Sequence, residues 1–370
     1  MVRILEMFGE PITYGGQESV VYNMLSTFDL QNDFNIDLFT PYFADNKHLI
    51  NHIGANGGNI YSLNIEFKTN DNRLLLSKYI NSFFDMHNDY SVVHIHTGSL
   101  TTMYVFAKAA KLHGVKKVIV HSHIASNKNS LLYRLFKMFL NTLLQKYVDV
   151  YLGCSNEAIT SKFTKKIVNK SKVIYNGIEI NKFKFESEYR DFIRNEYNLK
   201  DKFVIGSLGR LDKQKNNLFM IDIIGKLSKY DDIMLMIVGT GPIENVIKNK
   251  CNDLGLSYKV IFTGNQIDSY KFYCAFDCFI LPSLFEGLPV VSIEAQVNGL
   301  PVLLSDSITR EACISSGTSY LDINNINVWV DNIEKLYKTK QFTRNNYNID
   351  FKKFDRNNSF KIVEEIYKNS

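Results

Sequence analysis

Short, continuously apolar segments alternate with longer helical patterns along almost the whole chain. Apolar strands separated by helices are typical of a parallel sheet whose two faces are both covered. We therefore predict an α/β architecture with doubly wound parallel sheets. The strands are predicted at residues 2–8, 35–40, 59–63, 92–96, 117–121, 149–154 and 172–175, and in the second half at 203–208, 234–238, 259–262, 278–281 and 302–305.

The predicted helices fill the intervals between these strands. They are expected at residues 18–25, 74–84, 101–112, 131–147, 217–228, 242–254, 269–276 and 289–298. A chain of 370 residues is too long for one ordinary core, so two domains of similar size are expected. The polar stretch 181–202 is interpreted as a linker with a short helix, and residues 351–367 as a terminal helix.

Positive charge is concentrated in the first half. Residues 108–172 hold thirteen Lys and Arg against two acids, whereas the chain beyond residue 176 has twenty-five of each sign. This distribution predicts an anionic partner for the first half. The first ten residues contain acids where a signal peptide has its apolar core, and the five cysteines form no C-x-x-C pair. We therefore expect a cytoplasmic protein with buried thiols, without a disulfide framework or a zinc site.

Two carboxylates bracket the start of the predicted helix 289–298. Glu286 lies in the loop after strand 278–281, and Glu294 lies inside the helix. A phosphate on the amides of the helix N-terminus would have one carboxylate on each side, which suits a nucleotide with an attached sugar. The alternative is two solvated glutamates, favoured at a helix start by the helix dipole.

Two glycine-containing loops also follow predicted strands, at the edge where parallel sheets bind ligands. Gly15 and Gly16 would let a phosphate approach a helix start closely, or would only form a tight turn. The glycines of the run 238–242 lack the spacing of a dinucleotide or P-loop motif.

Basic side chains follow the predicted strand 203–208. Arg210 and Lys215 would hold a phosphate, with Lys213 as the competing cation, although all could instead pair with surface acids. Because no Asp-x-Asp pair occurs, a metal-chelated sugar nucleotide is not expected.

Four histidines occupy two successive predicted strands. His94 and His96 share one face of their strand and are interpreted as core residues or as residues behind a site. His121 and His123 lie at a strand end, where imidazole would hydrogen-bond hydroxyl groups or developing charge. A metal site is disfavoured because no carboxylate accompanies the histidines at ligand spacing.

Together these motifs resemble those of glycosyltransferase family 4, the retaining GT-B enzymes, and most of all its bacterial members that build capsular or exopolysaccharides. The resemblance covers nearly the whole chain. Its matching pieces are Gly15-Gly16, His121-Ser122-His123, the run 175–183, Gly209-Arg210 with Lys215, the run 238–242, and Glu286 with Glu294.

The resemblance implies a GT-B fold, with two facing Rossmann-like doubly wound parallel-sheet domains and an interdomain cleft. Residues 1–178 would form the acceptor-side domain, with helix 354–370 packing back on it. Residues 179–353 would bind the nucleotide-sugar donor.

The resemblance also implies a role for each donor-binding residue. Glu294 would bind the ribose hydroxyls, and Glu286 the hydroxyls of the transferred sugar. Arg210 and Lys215 would hold the diphosphate and stabilise the charge that develops on it. Backbone amides would add further donors, and these are the amides of Gly16, Gly287 and Leu288.

The family's histidine near the reacting carbon matches His121 best, with His123 as the rival. Glu286, His121, Arg210 and Lys215 are thus the expected catalytic residues. No cofactor and no metal are expected, because the two cations would neutralise the diphosphate.

The implied reaction moves a hexose or N-acetylhexosamine from a nucleotide sugar, expected to be a UDP-sugar, to a lipid-linked or other glycan acceptor. Helix 131–147 is basic and apolar, so it is expected to dock on an anionic membrane surface at the inner face of the cell membrane, or else only to cover the sheet. The basic residues expected to assist it are Lys116, Lys117, Lys162, Lys165 and Lys166.

Three alternatives remain. A sugar-nucleotide epimerase would use the same fold without an acceptor, and a non-catalytic partner subunit would keep the fold for binding alone. A nucleic-acid partner is not expected, because only the basic first half suggests one and no recognition motif supports it.

Overall fold

The computed structural model describes residues 1–68, 72–123, 130–339, 344 and 347–370, and it divides into two compact units. The first unit comprises Met1–Ile178 together with Lys353–Ser370, and the second comprises Glu179–Lys352. No helix in the described ranges combines the length and the apolar character needed to cross a bilayer.

The first unit contains a seven-stranded sheet. Its strands are β1 (Val2–Phe8), β2 (Phe34–Thr40), β3 (Ile60–Ser62), β4 (Val92–His96), β5 (Lys117–Ser122), β6 (Val150–Gly153) and β7 (Lys172–Val173). They are all parallel, in the order β3-β2-β1-β4-β5-β6-β7. The chain therefore builds outward from β1 in one direction and from β4 in the other, as expected for a doubly wound sheet.

The helices of the first unit cover both faces of this sheet. They are α1 (Gly16–Leu25), α2 (Lys47–Ala55), α3 (Leu76–Met86), α4 (Leu100–Leu112), α5 (Leu131–Leu144), α6 (Asn156–Lys162) and α7 (Lys165–Val168). One face of the central strands packs on α3 and α4 through apolar side chains such as Val93, Ile95 and Phe106. The opposite face carries the buried polar residues Glu6 and His94.

The second unit contains a six-stranded parallel sheet. Its strands are β8 (Phe203–Leu208), β9 (Ile233–Val238), β10 (Val260–Phe262), β11 (Cys278–Leu281), β12 (Val302–Ser305) and β13 (Thr318–Leu321). Its helices are α8 (Ser187–Glu196), α9 (Asn217–Lys226), α10 (Glu244–Asp253), α11 (Ser269–Ala275), α12 (Val290–Val297) and α13 (Ile326–Thr339). The strand order is β10-β9-β8-β11-β12-β13, so the direction of winding reverses between β8 and β11.

All twelve predicted strands are present, and the predicted doubly wound parallel sheets are confirmed in both units. Helices α2, α6, α7 and α13 and strand β13 were not predicted. Strand β13 is only half buried and contains Thr and Ser, so it lacks the continuous apolar character of the other strands. Two short helices, α14 (Arg356–Ser359) and α15 (Lys361–Lys368), end the chain within the first unit.

The stretch 181–202, predicted as a linker with a short helix, contains helix α8 of the second unit. Helix α8 directs Arg190 and Arg194 at the buried carboxylate of Asp277, which also accepts a hydrogen bond from the amide of Val204 at 2.8 Å. The same two guanidinium groups donate to backbone carbonyls at the end of α11. Burial lowers the pKa of the neighbouring Arg344 to about 9. The fold of this unit thus depends on one carboxylate among several cations.

We predict that Asp277→Asn strongly destabilises the second unit, because two arginines would then lie without a counter-charge in a site mostly removed from water. Breaking a buried pair typically costs about 3–5 kcal/mol. Thermal unfolding followed by circular dichroism measures the effect.

The matched control is Glu334→Gln, which neutralises a carboxylate paired with Lys229 and Lys338 at the surface. It should change the melting temperature little, because water screens exposed pairs. Equal changes of the melting temperature in the two variants would contradict the stabilising role of Asp277.

Candidate active site

Two loops of the second unit meet where its sheet reverses direction. Strands β8 and β11 are neighbours, with Cys278 paired to Ile205, and the loops at their carboxyl ends carry Arg210 and Glu286. Ligands of open parallel sheets bind at this position, because diverging loops leave a crevice there. The structure therefore places the predicted donor-binding residues of this unit around one switch point.

An ion pair joins the two loops. The ammonium nitrogen of Lys215 lies 2.7 Å from Oε1 of Glu286. Nε2 of Gln214 donates to Oε2 of the same carboxylate at 3.3 Å and to the carbonyl of Phe285 at 3.0 Å. Lys215 thus already has a counter-charge within the protein. A bound phosphate would share this ammonium group with Glu286 rather than neutralise an isolated cation.

Arg210 differs from Lys215 in having no such partner. Its side chain is exposed, and its guanidinium makes no hydrogen bond or ion pair with any residue in the described part of the chain. An exposed cation without a counter-charge at a sheet switch point is available to an anionic ligand.

The glycines after β9 support the Arg210 loop by close packing. A Cβ atom on Gly239 would lie 2.2 Å from the carbonyl oxygen of Gly209, and one on Gly241 would lie 2.2 Å from that of Leu211. Gly239 also has a φ angle of +130°, which other residues rarely adopt. The glycine pattern in this loop is therefore explained by backbone contact between neighbouring loops.

Helix α12 begins one residue later than predicted, because Pro289 is its N-cap and Val290 its first residue. Gly287 and Leu288 lie in the loop directly before this cap, and the side chain of Leu288 is buried. Glu294 follows in the second turn of the helix. Both predicted carboxylates and both predicted amides thus lie on the loop and helix that follow β11.

Glu294 has an unusual electrostatic environment. The hydroxyl of Tyr273 donates to its Oε2 at 2.6 Å. The residue keeps some exposed surface, yet the protein atoms packed around its carboxyl raise its pKa to about 7, although the Tyr273 hydrogen bond acts in the opposite direction. Tyr273 was missed by sequence reasoning, because it lies within the apolar pattern of α11 and only the fold directs it at α12.

In the first unit, Gly16 is the first residue of α1, and Gly15 is its N-cap. A Cβ atom on Gly16 would meet no other atom within 4 Å, whereas one on Gly15 would clash with the carboxylate of Glu18. Packing within the protein therefore accounts for Gly15 but not for Gly16. The open space at Gly16 is compatible with the close approach of a ligand.

The four predicted histidines cluster on the face of the sheet opposite α3 and α4. Strand pairing sets His96 beside His121 and His94 beside Glu6. The rings of His94 and His121 stack with a 2° interplanar angle. His121 is 1% exposed, and His123 at the strand end is 8% exposed. His94 and His96 are fully buried, as expected for core residues, but sequence reasoning missed Glu6 as their partner.

A continuous hydrogen-bond network, which we call the Glu6 network, runs through this cluster. Nε2 of His96 lies 2.6 Å from Oε2 of Glu6, and Nδ1 of His96 lies 2.9 Å from Nε2 of His123. The hydroxyl of Tyr367 donates to Oε1 of Glu6 at 2.6 Å and lies 2.5 Å from Nδ1 of His94. Burial, with smaller contributions from neighbouring imidazoles, holds the pKa of His94 and of His123 well below the usual histidine value.

This cluster is also the group of described residues whose atoms could hold a metal ion. Ligand nitrogens of His94, His96 and His121 all lie within 4.8 Å of one another. The expectation that no carboxylate accompanies these histidines is wrong. Glu6 of β1 is distant from them in sequence but lies beside them in the structure. Both nitrogens of His96 are nevertheless engaged by Glu6 and His123, so an ion would have to displace these hydrogen bonds.

Helix α5 has an outward apolar face. Six large apolar side chains on it are between 46% and 81% exposed, namely Leu131, Leu132, Leu135, Phe136, Met138 and Phe139. Two of its polar side chains, Lys137 and Asn141, point inward instead. Nζ of Lys137 donates to the carbonyls of Thr160 and Ser161, each at 2.9 Å, and Asn141 is fully buried.

This orientation corrects the expected set of membrane-facing cations. Besides Lys137, Lys117 and Lys162 have ammonium groups bonded to backbone carbonyls within the unit. Lys165 and Lys166 are exposed at the start of α7, directly after Thr164, whose amide donates to Asn141 of α5 at 3.3 Å. The exposed basic groups beside the apolar face are therefore fewer than the sequence suggested.

Comparison with known proteins is consistent with this arrangement. A family model described as "Glycosyl transferases group 1" matches residues 189–353. EpsF of Bacillus subtilis, whose name places it among the glycosyltransferases, is 27% identical over 87% of this chain and 84% of its own length. The UDP-Gal:alpha-D-GlcNAc-diphosphoundecaprenol alpha-1,3-galactosyltransferase of Escherichia coli is 30% identical over 59% of this chain and 58% of its own length.

Among solved structures, HepE of Anabaena in complex with UDP-glucose aligns over the whole of both chains with a TM-score of 0.79 and 17% sequence identity. An identity this low shows the fold alone. The structural match confirms the predicted GT-B class with two Rossmann-like domains.

We predict that the carboxyl of Glu294 titrates near pH 7, so that it is ionised above that pH and neutral below it. In Tyr273→Phe the pKa should rise further, because the hydroxyl that stabilises the ionised form is lost. The measurement is the carboxyl ¹³C chemical shift against pH in protein labelled at glutamate, with the signal assigned by Glu294→Gln.

Tyr320→Phe serves as the control for this titration. It removes a hydroxyl that donates to the carbonyl of Thr309, so the pKa of Glu294 should not change. A Glu294 signal that titrates at the ordinary glutamate pH in the wild-type protein would show that its burial has no such effect.

Proposed function

We propose that the chain is a group 1 glycosyl transferase, as the match of residues 189–353 indicates, and that it is a retaining, metal-independent hexosyltransferase that uses a UDP-sugar. The observation that carries the proposal is the pairing of Lys215 with Glu286 beside the exposed Arg210 at the β8–β11 switch point. The acceptor we propose is a lipid-linked glycan in capsular or exopolysaccharide synthesis.

The donor would be held by the second unit. Arg210 offers a planar pair of donors to the diphosphate, and Lys215 offers a point charge. Glu294 would accept hydrogen bonds from the ribose hydroxyls, and the amides of Gly287 and Leu288 would face a phosphate. A galactosyltransferase relative named for UDP-galactose and a HepE complex with UDP-glucose favour UDP as the nucleotide.

Catalysis would follow from charge stabilisation at the leaving group. Breakage of a glycosyl–phosphate bond passes through an oxocarbenium-like state, so negative charge grows on the diphosphate. Arg210 and Lys215 would stabilise that charge, while Glu286 would hold hydroxyls of the transferred sugar and position the Lys215 ammonium. The acceptor would attack the face that the diphosphate leaves, without a covalent intermediate on the protein, and the diphosphate would take its proton.

The first unit would supply the acceptor side. Gly16 would present its backbone amide to the donor, and a histidine at the end of β5 would contact the sugar. The apolar face of α5 fits a lipid surface, since its large side chains are exposed while Lys137 is bonded inward. Exposed Arg134, Lys165 and Lys166 favour an anionic bilayer, where a lipid-linked acceptor would also reside.

We predict that Arg210→Ala lowers kcat on the order of a hundredfold, because one group that stabilises the leaving diphosphate is lost. Turnover is measured with a panel of UDP- and GDP-sugars, with and without a glycan acceptor and with and without EDTA. The melting temperature should stay unchanged, since Arg210 is exposed.

Lys213→Ala is the matched control, because it removes an exposed cation from the same loop. It should retain near-normal turnover. Normal turnover of Arg210→Ala, or strict loss of wild-type turnover in EDTA, would refute the proposed metal-free role. Conversion of the donor sugar to its epimer in the absence of an acceptor would show that the protein is an epimerase and not a transferase.

For membrane binding we predict that the wild-type protein floats with vesicles of phosphatidylcholine and phosphatidylglycerol, and less with phosphatidylcholine alone. The double variant Leu132→Glu/Phe139→Glu should lose flotation, because two exposed apolar groups become charged. Ile267→Glu, at a residue that is 93% exposed in the second unit, is the control and should float normally. Flotation that is independent of anionic lipid, or unchanged in the double variant, would exclude α5 as the docking surface.

A further inference from the structure

We propose that Glu6, His96 and Tyr367 are positioning residues that fix the tautomer of His123, so that His123 presents Nδ1 as a hydrogen-bond acceptor to a hydroxyl of the transferred sugar. The inference rests on the proposed function for the identity of the ligand. It selects His123 over His121 as the active-site histidine, and it gives the C-terminal helix α15 a part in the chemistry.

The carboxylate of Glu6 determines every proton position in the Glu6 network. An ionised carboxylate accepts hydrogen bonds and donates none. Nε2 of His96, 2.6 Å from Oε2, must therefore carry a proton, and in a neutral imidazole Nδ1 of His96 is then an acceptor. Its contact at 2.9 Å with Nε2 of His123 requires the proton there to belong to His123. Nδ1 of His123 is left as a lone pair.

Tyr367 completes the arrangement from the other side. Its hydroxyl proton goes to Oε1 of Glu6 at 2.6 Å, so its oxygen accepts from Nδ1 of His94 at 2.5 Å. Two buried donors thus converge on Glu6 and keep its charge compensated, which a carboxylate removed from water requires. His94 and His123 are neutral in this assignment, in keeping with the lowering of their pKa by burial.

Burial and position distinguish His123 from His121. His121 is 1% exposed, and neither of its ring nitrogens has a hydrogen-bond partner among the described residues, so its ring is held only by contacts with the rings of His94, His96 and His123. His123 lies at the carboxyl end of β5, is held through Nε2, and leaves Nδ1 without a partner in the described part of the chain. An oriented ring with one unsatisfied acceptor is suited to a hydroxyl group.

The first test reads the tautomer directly and requires no activity. In protein labelled with ¹⁵N at histidine, we expect the His123 ring to show a protonated Nε2 and an unprotonated Nδ1. Glu6→Gln should change this pattern. The amide can donate to Nε2 of His96, which would move the proton to the other ring nitrogen in both His96 and His123. A wild-type His123 with a proton on Nδ1 would overturn the proposal.

The second test measures kcat/KM. Glu6→Gln should lower it by about 10- to 100-fold, the effect of one misplaced hydrogen bond to the substrate. In a His123→Ala background the same substitution should change it less than about twofold, because residues that act through one group are not additive. Additive losses would mean that Glu6 acts independently of His123, which would overturn the positioning role.

A matched pair of tyrosine variants separates positioning from packing. Tyr367→Phe should lower kcat/KM, whereas Tyr151→Phe removes a buried hydroxyl of the same unit that has no partner among the described residues and should not. Equal effects of the two variants would overturn the proposal. An inactive wild-type protein with the expected tautomer would refute the proposed function and leave the tautomer assignment standing.

Discussion

Compensation of buried carboxylates organises the polar parts of both units. A carboxylate removed from water is stable only when cations or hydrogen-bond donors surround it. Asp277 is held by two arginines of α8, Glu286 by Lys215 and Gln214, and Glu6 by Tyr367 and His96. Each carboxylate thereby ties together segments that are distant in the chain, and these ties position the loops at the strand ends.

The same principle distinguishes three carboxylates of the second unit, Asp277, Glu286 and Glu294. The Asp277 cluster lies at the start of β11 and is saturated by protein donors, so it stabilises the fold. Glu286 lies at the other end of the same strand, where its partner Lys215 is still accessible to a ligand. Glu294 keeps a raised pKa because burial disfavours its ionised form and the hydrogen bond from Tyr273 offsets this only in part. Incomplete compensation thus marks the residues that we propose to bind the donor.

Much of this fold was predictable, because buried parallel strands are continuously apolar and therefore recognisable one at a time. Strand β13 was not predicted, because it is half-buried and lacks a continuous apolar run. At the candidate site, residue types at strand ends predicted Arg210, Lys215 and Glu286, since that position follows from strand direction alone. Tyr273 and Tyr367 could not be predicted, because each lies within a helical apolar pattern and gains its role only from the element that it packs against.

The sequence by itself determined the two doubly wound sheets, the polar residues at their carboxyl ends and the family resemblance. Tertiary structure alone decided which of these residues meet. Glu6 and Tyr367 come from opposite ends of the chain, and strand order sets His94 beside Glu6. Tertiary packing also determines that Lys137 of α5 points inward while the large apolar side chains of this helix point outward. Local patterns record the type of each side chain, whereas its partners depend on sheet order and helix packing, which bring distant segments together.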